Sequence, residues 1–361
     1  MMDSKPTPPA DAEPAPATPA EFARYERQIR YAPLGIEGQR RLAASSALLC
    51  GCGALGSHVA DLLVRAGVGR LKIVDRDFLE LSNLQRQTLF DEQDLAAELP
   101  KSVAAASRLA RINSHVSIEP IVADVDYRNI AQLAAGVDLI LDGTDNFETR
   151  YLINDLAVRE SIPWIFAGVV GVAGQTMTIL PGETACLRCL MPQPPQAGGI
   201  QTCETAGILG PAVGVIAAIE AGEALKILSG NRAATSRSLA VVDLWDNRLR
   251  QIDLSGLRDQ VDCPTCRHGE FAWLSGARAD QHAVLCGRGA VQLTPPARRD
   301  WDLEALAARL AGVGRVSRNP YLLRLAVDGF QITLFPDGRA IISGTDDVGQ
   351  ARAVYARYIG N

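Results

Sequence analysis

A glycine-rich segment that follows an apolar run is the first feature of the chain that could do chemistry. It has the pattern G-x-G-x-x-G, formed by Gly51, Gly53, Ala54 and Gly56 within the sequence GCGALG. Glycines permit a tight turn and a close approach of backbone to phosphate, and a following helix offers unpaired N–H groups at its N-terminus. Asp75 stands 19 residues beyond Gly56, at the end of the next apolar run, where a carboxylate can accept hydrogen bonds from ribose hydroxyls. The pattern predicts a nucleotide site, and by itself it fits a nicotinamide-dependent oxidoreductase.

The segments that follow suit a triphosphate better than a nicotinamide. Arg86 is a good bidentate partner for phosphate, and Lys101 adds a second cation at the start of a predicted helix. Asp145 and Asn146 follow a predicted strand, at the edge where open α/β sheets bind ligands, and a carboxylate beside phosphates can hold Mg²⁺. The hexapeptide around the arginine consists of Ser82, Asn83, Leu84, Gln85, Arg86 and Gln87. A MgATP site is therefore the favoured interpretation.

Four of the eight cysteines form two C-x-x-C pairs, Cys186 with Cys189 and Cys263 with Cys266. Each pair is a bidentate clamp for one zinc ion, and the two pairs together would make a closed tetrahedral site. The 73 residues between the pairs exceed the spacing of compact zinc ribbons, so the fold must bring the pairs together. Two independent redox pairs, or two buried pairs without a role, are the alternatives.

Apolar runs alternate with helical patterns over much of the chain, and this alternation must position the residues above. It indicates parallel βαβ units, and hence a doubly wound, Rossmann-like α/β sheet. A helix, a turn and a second helix are predicted before it, at residues 22–41. The predicted strands are residues 47–50, 71–74, 137–141, 164–167, 176–180 and 239–242, and the predicted helices are residues 55–66, 101–112 and 210–228.

The chain is expected to have three parts. Residues 1–20 are rich in Pro and Ala and have the composition of a disordered arm. Residues 21–267 hold the alternating pattern and the cysteine pairs, and residues 268–361 predict a separate small α/β module. In this module we expect helices at residues 302–310 and 348–358 and strands at residues 321–327, 331–335 and 340–342.

Composition and charge argue against several classes of partner. The chain has 361 residues, 47% hydrophobic and 21% charged, as in an ordinary globular protein. A net charge of −5 gives no basic footprint for nucleic acid or an anionic membrane. The longest apolar run, residues 208–219, is too short to span a bilayer, and the start lacks a secretory signal pattern. We therefore expect a cytoplasmic protein without nucleic-acid or membrane partners.

Motifs spread over about residues 22–266 resemble, in order, the ThiF/MoeB/HesA family, the bacterial relatives of ubiquitin-activating enzymes. The motifs are RYERQ at 24–28, GCGALG, VDRD at 74–77, SNLQRQ, LPK at 99–101 and DGTDN at 142–146. The resemblance implies an adenylyltransferase that transfers AMP from MgATP to the C-terminal glycine of a small ubiquitin-like partner ending in Gly-Gly, such as ThiS or MoaD.

The resemblance also implies roles for individual residues. Asp75 would bind the ribose, and Asp145 would coordinate Mg²⁺. The phosphates would contact Asn83, Arg86 and Lys101. It supports a zinc site that is structural, since four thiolates leave no open coordination position.

Arg27 and Cys203 would act beyond the nucleotide pocket. By resemblance, Arg27 reaches the phosphates of a neighbouring subunit, which implies a homodimer; a solvated helix charge is the alternative. Cys203 lies in the segment TCETAG after the Pro- and Gly-rich residues 192–199. It would form a thioester or acyl-disulfide with the carrier, with simple packing as the alternative. Cys50 and Cys52 are expected to be buried and inert.

The identity of the carrier rests on resemblance alone. The segment FPDGRAII at 335–342 and the end of the chain resemble longer ThiF-like proteins of thiazole synthesis in the thiamine pathway, which favours a ThiS-like carrier. A MoaD-like carrier for molybdopterin is the alternative. Because no rhodanese-like cysteine loop is present, a separate cysteine desulfurase would supply sulfur. A non-catalytic scaffold is a third hypothesis, disfavoured by the intact Arg86, Lys101 and Asp145. The tail could bind the carrier, stabilise a dimer or do neither.

Overall fold

The computed structural model describes residues 20–195, 206–278, 282–285, 289–294 and 300–360. The predicted arm at residues 1–20 lies outside these ranges except for its last residue. Two sheets form the framework of the described chain. None of the helices in these ranges combines the length and the apolar character needed to cross a bilayer.

The larger sheet has eight strands in the described chain, in the order β3-β2-β1-β4-β5-β6-β7-β8. The strands are β1 (Ser46–Cys50), β2 (Arg70–Val74), β3 (Ser117–Ile121), β4 (Leu139–Asp142), β5 (Trp164–Val170), β6 (Ala173–Ile179), β7 (Ser238–Asp243) and β8 (Arg248–Asp253). Strands β1 to β5 pair in parallel and β6 to β8 extend the sheet in antiparallel fashion. The strand order reverses at β1 and β4, the point at which open α/β sheets bind ligands.

Helices cover both faces of this sheet, and two more helices belong to the C-terminal part. They are α1 (Glu26–Ile29), α2 (Gly35–Ala44), α3 (Ala54–Ala66), α4 (Glu92–Ala96), α5 (Lys101–Ile112), α6 (Ile130–Leu133), α7 (Phe147–Glu160), α8 (Leu187–Leu190), α9 (Gly210–Leu228), α10 (Leu257–Gln260), α11 (Leu303–Leu310) and α12 (Val348–Tyr358). Short 3-10 turns occur at Ala20–Tyr25, Leu81–Asn83 and Arg232–Ala234.

Strand β1 shows why both faces need cover. Ala47 and Leu49 pack with α3, α5 and α9 on one face, while Leu48 and Cys50 pack with α6 and α7 on the other. Side chains alternate across a strand, so a strand buried on both faces reads as a continuous apolar run. The Rossmann-like fold predicted from such runs is confirmed.

The second sheet has six antiparallel strands in the described chain, in the order β11-β12-β13-β14-β10-β9. The strands are β9 (His282–Leu285), β10 (Ala290–Leu293), β11 (Arg315–Asn319), β12 (Leu322–Val327), β13 (Phe330–Leu334) and β14 (Ala340–Ser343). Helices α11 and α12 pack with this sheet around a core of its own. A small C-terminal α/β module is therefore confirmed.

Several elements differ from the sequence prediction for identifiable reasons. The strand expected at residues 137–141 is Leu139–Asp142, because residues 134–138 form the turn after α6. Helix α7 was not predicted, since it is buried over most of its length and has no polar stripe. Strand β8 was missed because all of its residues are exposed and mostly polar, and β3 was missed because it contains Pro120.

Candidate nucleotide site and cysteine cluster

Three glycines bring the chain into close backbone contact at the carboxyl ends of β1 and β4. Gly51 has a φ of +90°, which favours glycine, and its N–H donates to the Val74 carbonyl at 2.8 Å. A Cβ added at Gly56 or at Gly143 would overlap the Gly51 carbonyl oxygen. The glycine loop therefore packs directly against the DGTDN segment. The packing role of Gly143 was missed by the sequence analysis.

The first turn of α3 opens toward this edge of the sheet. Gly53 is the N-cap residue of α3 and Ala54 is its first residue. A glycine has no side chain to cap the helix, so the N–H groups of the first turn can receive an anion. The phosphate-binding role of the glycine loop stays a prediction.

Asp75 ties the loop after β2 to the glycine loop. Its carboxylate accepts hydrogen bonds from the N–H groups of Cys52 and Asp77, both at 2.6 Å. Burial raises the pKa of the Asp75 carboxyl, against the opposing charge of Lys101 and the two N–H donors. The carboxylate therefore organises the local backbone at the place where it was predicted to bind ribose.

The hexapeptide Ser82 to Gln87 divides between structural and accessible side chains. Asn83 is buried, and its side-chain oxygen accepts from the Glu80 N–H at 3.2 Å. Leu84 packs on the apolar core, whereas Ser82 and Gln85 are exposed. Half-buried Arg86 donates to the Ser82 carbonyl at 2.7 Å. The arginine is the residue of this segment that offers a cation.

Gln87 was not singled out as a site residue, yet it faces the glycine loop. It is 3% exposed, and its amide nitrogen lies 3.9 Å from the position of a Cβ built on Gly53. Its side-chain oxygen has no hydrogen-bond partner within the described part of the chain. Buried amides are normally satisfied, so this side chain is a further candidate for contact with a bound nucleotide.

Lys101 is a buried cation at the first turn of α5. Its side chain is 4% exposed, and its Nζ lies 3.3 Å from Asp77 Oδ2. The backbone N–H of Lys101 donates to the backbone carbonyl of Asp77 at 2.9 Å. A lysine is seldom buried without acidic partners, and here the carboxylates of Asp75 and Asp77 supply them.

A buried ion pair between Asp142 and Arg150 anchors the DGTDN segment to the interior of the domain. Asp142 is fully buried, and its Oδ2 lies 2.8 Å from Arg150 Nε. Arg150 Nη2 also donates to the Thr144 and Ala167 carbonyls at 2.7 and 2.9 Å. The Thr144 hydroxyl donates to Asp142 Oδ1 at 2.7 Å. These bonds link the end of β4 to α7 and β5.

Glu220 of α9 completes the support beneath this segment. It is fully buried, and it accepts from the Asp142 N–H at 3.2 Å. Burial, reinforced by the charge of Asp142, raises the pKa of Glu220 well above its ordinary value. The sequence analysis missed both Arg150 and Glu220 because a buried charge in a helix looks like a surface charge in the sequence.

Asp145 and Asn146 follow this buried part of the DGTDN segment in the chain, and both are exposed. Asn146 caps α7, since its side-chain oxygen accepts from the Glu148 N–H at 2.9 Å. Asp145 is two residues beyond Gly143, which contacts the glycine loop, and its charge acts on Arg76. An exposed carboxylate at this edge is suited to hold Mg²⁺ beside phosphates.

Arg27 is not at this site within one chain. It is exposed on α1, next to Gln28, whose amide donates to the Ala66 carbonyl at the last residue of α3. The glycine loop lies at the other end of α3, about 20 Å away for a helix of 13 residues. Any contact of Arg27 with phosphates would therefore have to be made in another subunit.

The four C-x-x-C cysteines converge. The Sγ atoms of Cys186, Cys189, Cys263 and Cys266 all lie within 4.8 Å of one another, and three of the separations are 3.8, 3.6 and 3.4 Å. Sulfur atoms about 2.3 Å from a tetrahedral metal ion would be about 3.8 Å apart. The cluster therefore fits a closed four-thiolate metal site, and the predicted pairing by the fold is confirmed.

Among the described residues, Cys50 and Cys52 are the cysteines outside the cluster. Burial raises the pKa of the Cys50 and Cys52 thiols, as expected for inert, buried residues. Cys203 lies outside the described residues, so its role stays a prediction.

The chain is similar in sequence to proteins of known activity. A model of the ThiF family matches residues 25–265. The chain is 44% identical over 338 residues to the sulfur carrier protein ThiS adenylyltransferase of Bacillus subtilis, covering 93% of this chain and 99% of that protein. It is 37% identical over 249 residues to the ThiS adenylyltransferase of Escherichia coli, covering 68% of this chain and 95% of that protein.

A solved structure also resembles the chain. The crystal structure of Escherichia coli MccB matches with a TM-score of 0.59 and 22% identity, covering 69% of this chain and 72% of MccB. At this identity the likeness concerns the fold alone.

The buried ion pair beneath the DGTDN segment generates a stability prediction. We expect Arg150→Ala to lower the free energy of unfolding by about 3–5 kcal/mol, because Asp142 would be left buried and unpaired. Arg159→Ala on the same helix should change it by less than about 0.5 kcal/mol, since the Arg159–Glu160 pair is exposed. Urea denaturation measures both, and equal effects would refute the role of Arg150.

Proposed function

The chain belongs to the ThiF family, and we propose that it adenylylates the C-terminal glycine carboxylate of a small ubiquitin-like sulfur-carrier protein of the ThiS type. The activated carrier would then take up sulfur for thiazole formation in thiamine biosynthesis. Its relatives support an adenylyltransferase rather than a nicotinamide-dependent oxidoreductase.

One observation carries the proposal: groups that suit MgATP meet where the strand order reverses. The first turn of α3 follows β1, the buried Lys101 is bonded to the loop after β2, and Asp145 follows β4. Strand β1 pairs with both β2 and β4. Backbone N–H groups, a cation and an acidic side chain are therefore available at one edge of the sheet.

The chemistry asks for positioning and charge neutralisation. The carrier carboxylate is already ionised at neutral pH, so it can attack the α-phosphorus of ATP without a general base while pyrophosphate leaves. The α3 N-terminus would hold phosphate oxygens, and Lys101 and Arg86 would stabilise the charge on the leaving pyrophosphate. Asp145 would hold Mg²⁺, which when bound neutralises phosphate charge. Asp75 would accept from the ribose hydroxyls.

We propose zinc as the metal of the cysteine cluster. Zinc prefers a tetrahedral set of four thiolates, and such a site leaves no position for substrate. Helix α7 supports the cluster: Asn154 accepts from the Leu187 N–H at 2.8 Å, and Asp155 accepts from the Thr265 hydroxyl at 3.2 Å. The metal would therefore join residues that are far apart in the chain and leave catalysis to the nucleotide site.

The remaining partners are proposals from the family resemblance. Arg27 would complete the phosphate site of a second subunit in a homodimer, and Cys203 would form a covalent link to the carrier. A cysteine desulfurase would supply the sulfur. The dependence on ATP and on reduced thiols supports a cytoplasmic location.

Asp145→Ala should abolish carrier-dependent exchange of pyrophosphate into ATP, because the variant loses the proposed Mg²⁺ ligand. The fold should remain, since Asp145 is exposed, and circular dichroism checks this. Asp246→Ala, which removes an exposed aspartate next to β8, serves as the control and should exchange at the wild-type rate. Undiminished exchange in the Asp145 variant would refute the assigned role.

The exchange assay also distinguishes the two carriers. With purified ThiS-like and MoaD-like proteins that both end in Gly-Gly, we expect faster exchange with the ThiS-like protein. A preference for the MoaD-like carrier would support the molybdopterin alternative.

Cys263→Ser should lose the bound zinc and lower the melting temperature by more than about 5 °C, because three thiolates hold the ion less well and the metal stabilises the folded state. Elemental analysis of the purified protein measures zinc directly. Cys52→Ala, which removes a buried thiol outside the cluster, should keep the metal. A wild-type protein isolated without zinc, or a Cys263 variant that retains it, would contradict the assignment.

A further inference from the structure

The C-terminal sheet contacts the larger domain beside the nucleotide site. Gln292 of β10 donates from Nε2 to Asp124 Oδ2 at 2.7 Å. The rings of Phe78 and Phe335 lie 5.9 Å apart, and Phe78 is next to Asp77 in the chain. In the same interface, Arg324 Nη1 lies 2.7 Å from Glu98 Oε1.

Asp124, the acceptor for Gln292, is also bonded to a residue on the nucleotide side. It accepts two hydrogen bonds from Arg76 Nη1, at 2.8 and 3.0 Å. Burial alone would raise its pKa, but the charges of Arg76 and Arg339 and the hydrogen bond from Gln292 hold the pKa of Asp124 below its usual value. Its carboxylate is thus ionised and bonded from both domains.

Arg339 adds a buried cation from the C-terminal sheet. It is 2% exposed, its Nε lies 3.3 Å from Asp337 Oδ2, and its guanidinium sits over the Phe335 ring at 4.3 Å. Both of its Nη atoms lack a hydrogen-bond partner within the described ranges. A buried cation is costly without negative charge nearby, and Asp124 supplies some of it.

Opposite charges then alternate from this module to the predicted phosphate-binding lysine. Arg76 Nε lies 3.7 Å from Asp77 Oδ1, and Asp77 Oδ2 lies 3.3 Å from Lys101 Nζ. We call the series a charge chain, consisting of Arg339, Asp124, Arg76, Asp77 and Lys101.

The comparisons indicate that the C-terminal module is an addition to the basic enzyme, because the match to the family model ends at residue 265. The match to the Escherichia coli relative covers 95% of that protein but only 68% of this chain. The match to the Bacillus subtilis relative covers 93% of this chain. The Escherichia coli relative, which matches the smaller share of this chain, is also named an adenylyltransferase. The module is therefore expected to adjust the nucleotide site rather than to supply its chemistry.

We propose that the C-terminal sheet positions the nucleotide site through the charge chain. Gln292 fixes Asp124, and Asp124 holds Arg76 against Asp77. When Lys101 turns toward phosphate, the Asp77 carboxylate keeps a cationic partner and does not face Asp75 uncompensated. Gln292 and Arg76 are thus positioning residues for ATP binding, an inference that rests on the proposed function.

The test uses the full-length protein and pyrophosphate exchange at saturating carrier. Gln292→Met removes the donor while keeping length and burial, and Arg76→Ala removes the cation. Each should raise the KM for ATP about fivefold or more while kcat stays within about twofold, because a charged hydrogen bond that orients the binding site is lost. Arg76→Lys, which keeps the charge, should recover part of the loss.

A double variant tests whether Gln292 acts on ATP binding through Arg76. If Gln292 acts through Arg76, the Gln292→Met/Arg76→Ala protein should bind ATP no more weakly than Arg76→Ala alone. Glu98→Gln, which breaks an ion pair at the same interface outside the charge chain, is the matched control and should leave KM within about twofold. If Gln292→Met does not fold, Gln292→Ala replaces it.

The outcomes separate this inference from the proposed function. An unchanged KM in the Gln292 and Arg76 variants, additive effects in the double variant, or an equal rise in Glu98→Gln would overturn the positioning role alone. If wild type binds MgATP in calorimetry but performs no exchange, adenylylation fails, and the dissociation constants of the variants still test the inference. If wild type binds no MgATP, both fail.

Discussion

Close backbone contact between Gly51, Gly56 and Gly143 is the constraint on which the nucleotide site depends. The Gly51 carbonyl lies where a side chain on either of the other two would have to stand. No side chain separates these glycines. The N-terminus of α3 and the segment that carries Asp145, which follow the neighbouring strands β1 and β4, are therefore in van der Waals contact. The Asp75 carboxylate then bonds the glycine loop to the loop after β2.

Three further sets of contacts involve this edge or the elements next to it. In the first, Asp142 and Arg150 form a buried ion pair whose cost is offset by bonds to backbone carbonyls. Next to α7, the cysteine cluster joins segments 186–189 and 263–266. In the third set, the C-terminal sheet reaches Asp124 through Gln292. A reaction that relies on positioning rather than on a general base benefits from such support.

Local patterns predicted much of the fold, and long-range partners escaped prediction. Helices α5 and α9 were predicted at their observed bounds, because Pro100 precedes one and an almost wholly apolar run forms the other. The cysteine cluster was predicted because ligand chemistry shows in the spacing of each pair. The Gln292–Asp124 bond, whose partners are 168 positions apart in the chain, leaves no such local signal, and neither does the burial of Arg150. The predicted role of Arg27 depends on a second subunit. Cys203 lies outside the described residues, so its role stays a prediction as well.

The most direct test of the account is the mass of the carrier after incubation with this enzyme, ATP and Mg²⁺. We predict a ThiS-like protein ending in Gly-Gly whose mass increases by one adenylate, attached to the terminal carboxylate, and no adduct on the same protein lacking its last glycine. A carrier that stays unmodified while the folded, zinc-containing enzyme binds MgATP would contradict the central claim.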